Sequence, residues 1–151
     1  MARPQPHGAQ GVRAFTPRSP GGTTDKQLHD KGLAVRKAVL GAEHVERSLK
    51  TADDFNMPFQ ELVTEYCWGA VWTREGLSRQ SRSILNLGML SALGRSHELK
   101  LHIRGALNNG LSREEIREVF MQVAIYCGVP AAVESFRCAR EVFAEIDGKK
   151  A

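Results

Sequence analysis

A chain of 151 residues with 42% hydrophobic and 25% charged residues has the composition of one soluble globular domain. No apolar stretch approaches the roughly 20 residues of a membrane-spanning helix, so we expect no membrane segment. The formal net charge is +4, but Arg3, Arg13 and Arg18 supply most of it. From residue 25 onward the chain holds 18 basic and 17 acidic residues, a balance that argues against a nucleic-acid partner.

The first 24 residues differ in composition from the rest. They include Pro4, Pro6, Pro17 and Pro20 and have little that could form an apolar face. We expect a disordered leader or an added tail here, followed by one domain over residues 25–148. An organellar transit peptide is the alternative, although the prolines oppose the amphipathic helix that such a signal needs.

Helical signals begin at Asp25. Leu28, Val35 and Val39 recur at helical spacing, and Gly41 predicts the end of a first helix. A short second helix should contain Val45 and Leu49. A third should have Pro58 in its first turn and end near Gly69. No segment alternates as a strand, so the sequence predicts an all-α fold.

Residues 69–78 have no periodicity and predict a connecting loop that contains Trp72. Capping residues then predict helices beginning after Ser78, after Ser96 and, through a capping box with Glu115, after Ser112. The apolar run over residues 84–93 predicts a core helix. Gly128 and Pro130 predict the boundary between the last two helices.

The three cysteines, Cys67, Cys127 and Cys138, form neither a C-x-x-C motif nor a zinc-ligand spacing. We expect each to be a small buried side chain. A reducing cytoplasm is the simplest compartment for them, since no signal-peptide core precedes them.

One short segment could carry acid–base chemistry. Glu98 and His102 are four residues apart, so they share a helix face, and Arg95 precedes that helix. A carboxylate beside an imidazole raises its pKa and can fix its tautomer, while an arginine can hold an anion. On spacing alone, a solvated surface pair is the more common arrangement.

Arg79 and Arg82 lie near the start of the preceding predicted helix. Backbone N–H groups and the helix dipole favour anions at that end, so these arginines are candidate substrate anchors. A solvated cationic face is the competing interpretation, and it is the favoured one without further information.

Two segments resemble the carboxymuconolactone decarboxylase family closely: LKLHIRGALNNG (residues 99–110) and AIYCGVPAA (residues 124–132). The resemblance extends upstream through residues 36–49, 54–56, 68–74 and 79–83, and covers about residues 26–147. It implies a compact helical subunit of the alkylhydroperoxidase D-like type in a ring-shaped homo-oligomer, usually a hexamer, with a trimer as the alternative.

The resemblance also implies a reaction: decarboxylation of 4-carboxymuconolactone to the 3-oxoadipate enol-lactone, in the protocatechuate branch of aromatic catabolism (the beta-ketoadipate pathway). This carboxy-lyase would act on a small anionic lactone without a cofactor or metal. In alkylhydroperoxidase D-like proteins, two cysteines precede the matching histidine. Arg95 and Glu98 occupy those positions here. The redox dithiol is absent, which favours acid–base chemistry over thiol chemistry.

On this hypothesis His102 donates a proton to the dienolate left by carbon dioxide, and Glu98 orients His102 and raises its pKa. Arg82, with Arg79 or Arg95, anchors the substrate.

Four further residues are weaker candidates for substrate contact, and each has a structural alternative. Trp72, like Trp68, is either at a pocket mouth or in core or interface packing, and His44 is a site donor or a helix-cap or interface residue. Tyr126 and Cys127 contact ligand from a neighbouring helix or only pack a helix end.

Three alternatives to the proposed activity stay open at this point. They are a related enzyme acting on another lactone, a non-catalytic helical oligomer, and a peroxide-dependent redox protein.

Overall fold

The computed structural model describes residues 25–148, and these residues form helices joined by short connections, with no strand among them. The all-α prediction is therefore confirmed for this part of the chain. The expected leader, residues 1–24, lies outside the described residues. The elements are α1 (Lys26–Leu40), α2 (Ala42–Lys50), α3 (Met57–Leu62), a π-helix (Val63–Val71), α4 (Arg79–Ala92), α5 (Ser96–Asn108), α6 (Arg113–Tyr126) and α7 (Val129–Gly148).

The predicted helix ends are largely confirmed. Ser78 caps α4 by accepting a hydrogen bond from the Ser81 N–H, and Ser112 and Glu115 form the expected capping box. Gly41 and Gly128 end their helices with φ angles of 93° and 95°, which side-chain-bearing residues rarely adopt. Ser96 was the wrong cap: Arg95 holds that position, and the Ser96 hydroxyl donates to Glu134 instead.

The helix predicted to stop near Gly69 ends two residues later, at Val71, and its second part is a π-helix that the sequence did not indicate. The helix that α3 begins continues as the π-helix to Val71, and only the residues after it form the expected loop. Trp72 follows directly and is buried, in agreement with the core-packing alternative given for it. The main-chain N–H of Trp72 bonds to the carbonyl of Cys67, five residues earlier, which is the π-helical pattern.

A close backbone approach holds α1 against the π-helix. A Cβ placed on Gly32 would lie 2.2 Å from the Thr64 carbonyl oxygen, and one placed on Gly69 would lie 2.5 Å from the Leu28 carbonyl oxygen. Only glycine fits at these two positions. Gly69 therefore brings two helices together where the sequence suggested a helix end.

The buried side chains form two groups. The larger lies between α4, α5, α6 and α7 around Leu87, Ile103 and Phe120. The smaller joins α1, α2 and the π-helix and includes Val39, Val45, Trp68 and Trp72. Helix α5 contributes to both, because Leu101 packs against the smaller group.

The prediction that residues 84–93 form a core helix holds only for one of its faces. Leu87 is fully buried, whereas Ile84, Leu85, Met89 and Leu93 are exposed in the single chain, Leu93 by 71%. The helix was recognised correctly, but half of its apolar surface faces away from the chain's own core.

The buried-cysteine expectation holds for one residue of three. Cys138 is buried and Cys67 is half-buried, but Cys127 is exposed at the end of α6. All three are free thiols.

In the described part of the chain, no helix is long and apolar enough to cross a lipid bilayer.

Candidate active site

His102 lies half-buried on α5 between two other elements. Its ring is nearly parallel to the Trp68 indole of the π-helix, at an interplanar angle of 4° and a centroid separation of 6.4 Å. On the α4 side, the Asn86 amide nitrogen lies 3.4 Å from His102 Nδ1. The imidazole therefore has an aromatic neighbour and a polar partner that come from different parts of the chain.

The Asn86 contact bears on the tautomer of His102. When the amide N–H donates to Nδ1, the neutral ring carries its proton on Nε2. At 3.4 Å this hydrogen bond is weak, and a rotated amide would present its oxygen to a protonated Nδ1. Asn86 can thus accompany both protonation states of the ring.

Burial lowers the pKa of His102 below its ordinary value, and the Glu98 carboxylate raises it by a smaller amount. The sequence argument correctly predicted that Glu98 raises the pKa of His102, but it did not predict that burial has the larger effect. Desolvation of the imidazolium dominates because Glu98 itself is exposed to water. In the unliganded protein His102 is therefore neutral at pH 7.

The two tryptophans form one side of the site. Trp68 and Trp72 are both buried and stack at a centroid separation of 4.8 Å. Trp72, a predicted contact residue, stacks on Trp68, and Trp68 in turn lies beside His102.

Arg82 lies one helical turn before Asn86 on α4. One terminal nitrogen donates to the Arg74 carbonyl oxygen at 2.9 Å, and this bond ties the loop after Trp72 to α4. The Arg82 Nε is buried and has no hydrogen-bond partner among the described residues. An unsatisfied buried donor is uncommon in proteins, so this atom is suited to receive an acceptor from a bound anion.

The other two arginines predicted as substrate anchors have side chains that face water. Arg79 opens α4 and Arg95 caps α5, and both side chains are exposed. The Arg79 carbonyl accepts a 3.5 Å contact from Asn109, whose amide also donates to the Ser83 hydroxyl. Asn109 thus holds the start of α4 against the end of α5.

Three other predicted contact residues lie elsewhere. His44 lines a cleft on the face of α5 that carries His97, Lys100 and Arg104. Tyr126 and Cys127 line a shallow apolar groove between α4 and α6. The described chain does not place these three beside His102.

Sequence reasoning missed Asn86 and Arg36. Asn86 gave no signal, because an amide in an apolar helix looks like an ordinary surface position. Arg36 occupies a position in the buried stripe of α1. A charged residue at such a position is unusual, and this was the feature of the sequence that could have identified it. It is 6% exposed and donates to Thr64 Oγ1 at 2.9 Å and Gln60 Oε1 at 2.7 Å, and burial lowers its pKa.

No group of three or more metal-ligating side chains converges within residues 25–148. The site as described consists of an imidazole, an amide, two indoles, an exposed carboxylate and a guanidinium. Such a set can bind an anion and move one proton.

A family model for the carboxymuconolactone decarboxylase family matches residues 58–141, the region that carries His102, Asn86 and Trp68. The chain belongs to this family. It is 42% identical over 122 residues to a 4-carboxymuconolactone decarboxylase of Acinetobacter baylyi, a match that covers 81% of this chain and 91% of that protein. The resemblance inferred from the sequence motifs is therefore confirmed, and the chain is a carboxy-lyase.

A second relative bears a different substrate in its name. The nitrosuccinic acid decarboxylase of Metarhizium robertsii is 49% identical over 110 residues, which are 73% of this chain and 77% of that protein. A 4-carboxymuconolactone decarboxylase of Pseudomonas putida is 49% identical over 45 residues, 30% of this chain and 94% of that sequence. All three are decarboxylases, but they do not share one substrate.

Proposed function

We propose that this protein decarboxylates 4-carboxymuconolactone to the 3-oxoadipate enol-lactone, in the protocatechuate branch of aromatic catabolism. The observation that carries the proposal is the match to the Acinetobacter baylyi enzyme along 91% of that protein's length. The site adds a half-buried histidine and an unsatisfied arginine donor, which suit an anionic substrate that gains a proton.

The chemistry of the substrate explains why an acid and a few hydrogen-bond donors suffice. When the carboxylate leaves as carbon dioxide, its bonding electrons spread through the ring double bond to the lactone carbonyl oxygen. The resulting dienolate then takes one proton at carbon to give the enol-lactone. The lactone itself is the electron sink, so the proposal invokes no added cofactor.

His102 is proposed as the proton donor. Its pKa is low in the unliganded protein because burial disfavours the cation. A bound dianionic substrate brings negative charge beside the ring and favours the imidazolium. We therefore expect substrate binding to bring a proton onto His102, which the ring then delivers to the dienolate. Glu98 supports the same protonated form, because its carboxylate raises the pKa of His102.

Arg82 is proposed as the principal substrate anchor, since its buried Nε has no hydrogen-bond partner among the described residues. Arg79, at the start of α4, and Arg95, at the start of α5, are proposed to add positive charge for binding the anionic substrate. The stacked indoles of Trp68 and Trp72 form an apolar wall that keeps water from the reacting carbon. A dry wall strengthens the electrostatic contacts on which stabilisation of the dienolate depends.

A homo-oligomer is proposed on the apolar surface of the chain. Residues from α4, α6 and α7 leave large side chains exposed, among them Ile125 and Tyr126, each 80% exposed. Monomeric proteins rarely leave such a contiguous patch uncovered. A second copy would cover it and bury Tyr126 and Cys127, in a ring-shaped hexamer or a trimer. Light scattering after size exclusion distinguishes these sizes, and a monomer would contradict the proposal.

The free cysteines fit the cytoplasm as the proposed compartment, because thiols stay reduced there.

The Metarhizium robertsii relative supports a second candidate substrate, nitrosuccinate. The two molecules share one unit: a carbon that carries both the leaving carboxylate and a carboxymethyl arm. In nitrosuccinate the nitro group takes the electron pair, and protonation of the nitronate at carbon gives 3-nitropropanoate. One acid and one anchor for the carboxymethyl arm would serve either reaction.

Turnover of the two candidate substrates by the same protein tests which of them it decarboxylates. Purified protein is given each substrate in turn, and carbon dioxide release is measured over a range of concentrations. The proposal expects kcat/KM for 4-carboxymuconolactone to exceed that for nitrosuccinate by at least about tenfold, a difference of about 1.4 kcal/mol in transition-state binding. The reverse order would transfer the assignment to nitrosuccinate. Turnover of neither molecule would refute both.

A further inference from the structure

A basic cleft lies between α2 and α5, on a different face of α5 from His102. It encloses about 500 Å³ and is lined by His44 and Arg47 of α2 and by His97, Lys100 and Arg104 of α5. These basic side chains come from two opposed helices. The proposed decarboxylation makes no use of this cluster.

Pairing of charges within the cleft is incomplete. Arg104 is paired with Glu145, which also lines the cleft, and Lys100 is paired with Glu141. Within residues 25–148, no carboxylate lies within ion-pair distance of Arg47, His44 or His97.

The N-terminus of α2 adds positive potential. Gly41 is the N-cap and has no side chain to accept from the first N–H groups, and both Gly41 and Glu43 line the cleft. Glu43 offsets part of the positive end of this helix but is not paired with the cations.

The charge environment of His44 agrees with this picture. Burial lowers the pKa of His44, and the neighbouring arginines Arg47, Arg36 and Arg104 lower it further. Glu43 and Glu145 are the carboxylates of the cleft. Basic side chains thus outnumber carboxylates in the lining of the cleft.

We propose that this cleft binds a linear dicarboxylate, with one carboxylate held by His44 and Arg47 of α2 and the other by His97 of α5. A dicarboxylate fits better than a compact anion because the basic side chains that lack a carboxylate partner line the cleft from two helices, His44 and Arg47 from α2 and His97 from α5. The proposal does not depend on which reaction His102 catalyses.

Adipate and inorganic phosphate are the probes. The ring Cε1–H signals of His44 and His97 are followed by NMR at pH 7 while each anion is added, with His29 as a reference histidine. We expect adipate to shift both signals with one saturation curve and to raise the pKa of His44. Arg47→Gln should weaken adipate binding by about tenfold. The matched control is Arg117→Gln, an exposed arginine of α6 with the same charge change, and it should leave binding unchanged.

Three results would overturn the proposal. The first is no movement of the His44 and His97 signals in adipate. The second is equal weakening by Arg47→Gln and Arg117→Gln, which indicates general screening of charge. The third is phosphate binding as tight as adipate, which would make the cleft a site for compact anions. The readout is binding at named histidines, so it is separate from the decarboxylase assay.

Discussion

Gly32→Ala tests the packing that holds the aromatic wall of the active site. The added Cβ would lie 2.2 Å from the Thr64 carbonyl oxygen and 2.6 Å from the Gly69 nitrogen. An unstrained contact is about 3.5 Å, so α1 and the π-helix would have to separate by roughly 1 Å. Both atoms belong to the backbone, so no side-chain rotation relieves the clash.

The magnitude follows from two opposed effects. Overpacking of this kind costs about 3 kcal/mol, at the upper end of its usual range, because backbone atoms must move. Alanine is better than glycine in a helix by about 1 kcal/mol, which offsets part of it. We expect a net loss of about 2 kcal/mol in the free energy of unfolding, or a fall in Tm of about 4–8 °C for a chain of this size.

The assay is thermal unfolding at fixed protein concentration, together with turnover of the folded protein. Turnover should fall as well, because a shifted π-helix moves Trp68 relative to His102. Gly76→Ala is the control, since a Cβ there meets nothing within 4 Å. If Gly32→Ala matches Gly76→Ala in both stability and turnover, the close approach of these helices is wrong.

Three further predictions concern stability and binding. Burial lowers the pKa of His102 and of His44 in the folded protein. Burying the two neutral imidazoles therefore carries no penalty above the unfolded-state pKa near 6.5, and stability is lost as the pH falls from there through the folded-state pKa values. Denaturant titrations should show that the free energy of unfolding falls less between pH 7.5 and pH 5 for His102→Gln than for the wild-type protein. Equal losses would contradict the burial argument. Ser112→Ala removes the capping box of α6 and should cost about 1 kcal/mol in unfolding free energy, whereas no change would mean the cap is not formed in solution. Arg82→Gln should mainly raise KM in steady-state assays, and unchanged KM and kcat would exclude Arg82 from the site.

The helices could be predicted because their signals are local. Ser78 and Ser112 cap helices through hydrogen bonds to residues three positions later, and Gly41 and Gly128 mark ends through their own backbone conformation. The π-helix could not be predicted this way. It depends on a long-range contact between Gly69 and α1, and the same glycine in isolation indicates a helix end.

In the candidate site, too, the features set by local spacing could be predicted, and those set by contacts between helices could not. Spacing along α5 was sufficient to place Glu98 and His102 on one face. The partner Asn86 and the low pKa of His102 depend on how α4 and the π-helix pack against α5. The exposed half of α4 is another such case, since an apolar pattern shows that a face is to be covered but not by which chain.

Turnover of His102→Gln tests the central claim most directly. Glutamine keeps a polar side chain of similar length but cannot act as an acid near neutral pH. With 4-carboxymuconolactone as substrate, we predict that kcat falls by about 10² to 10⁴ while the far-ultraviolet circular dichroism and oligomeric state are unchanged. His29→Gln, on α1, should retain full turnover. If the His102→Gln protein stays within about threefold of the unchanged enzyme, a difference below about 1 kcal/mol, His102 is not the proton donor.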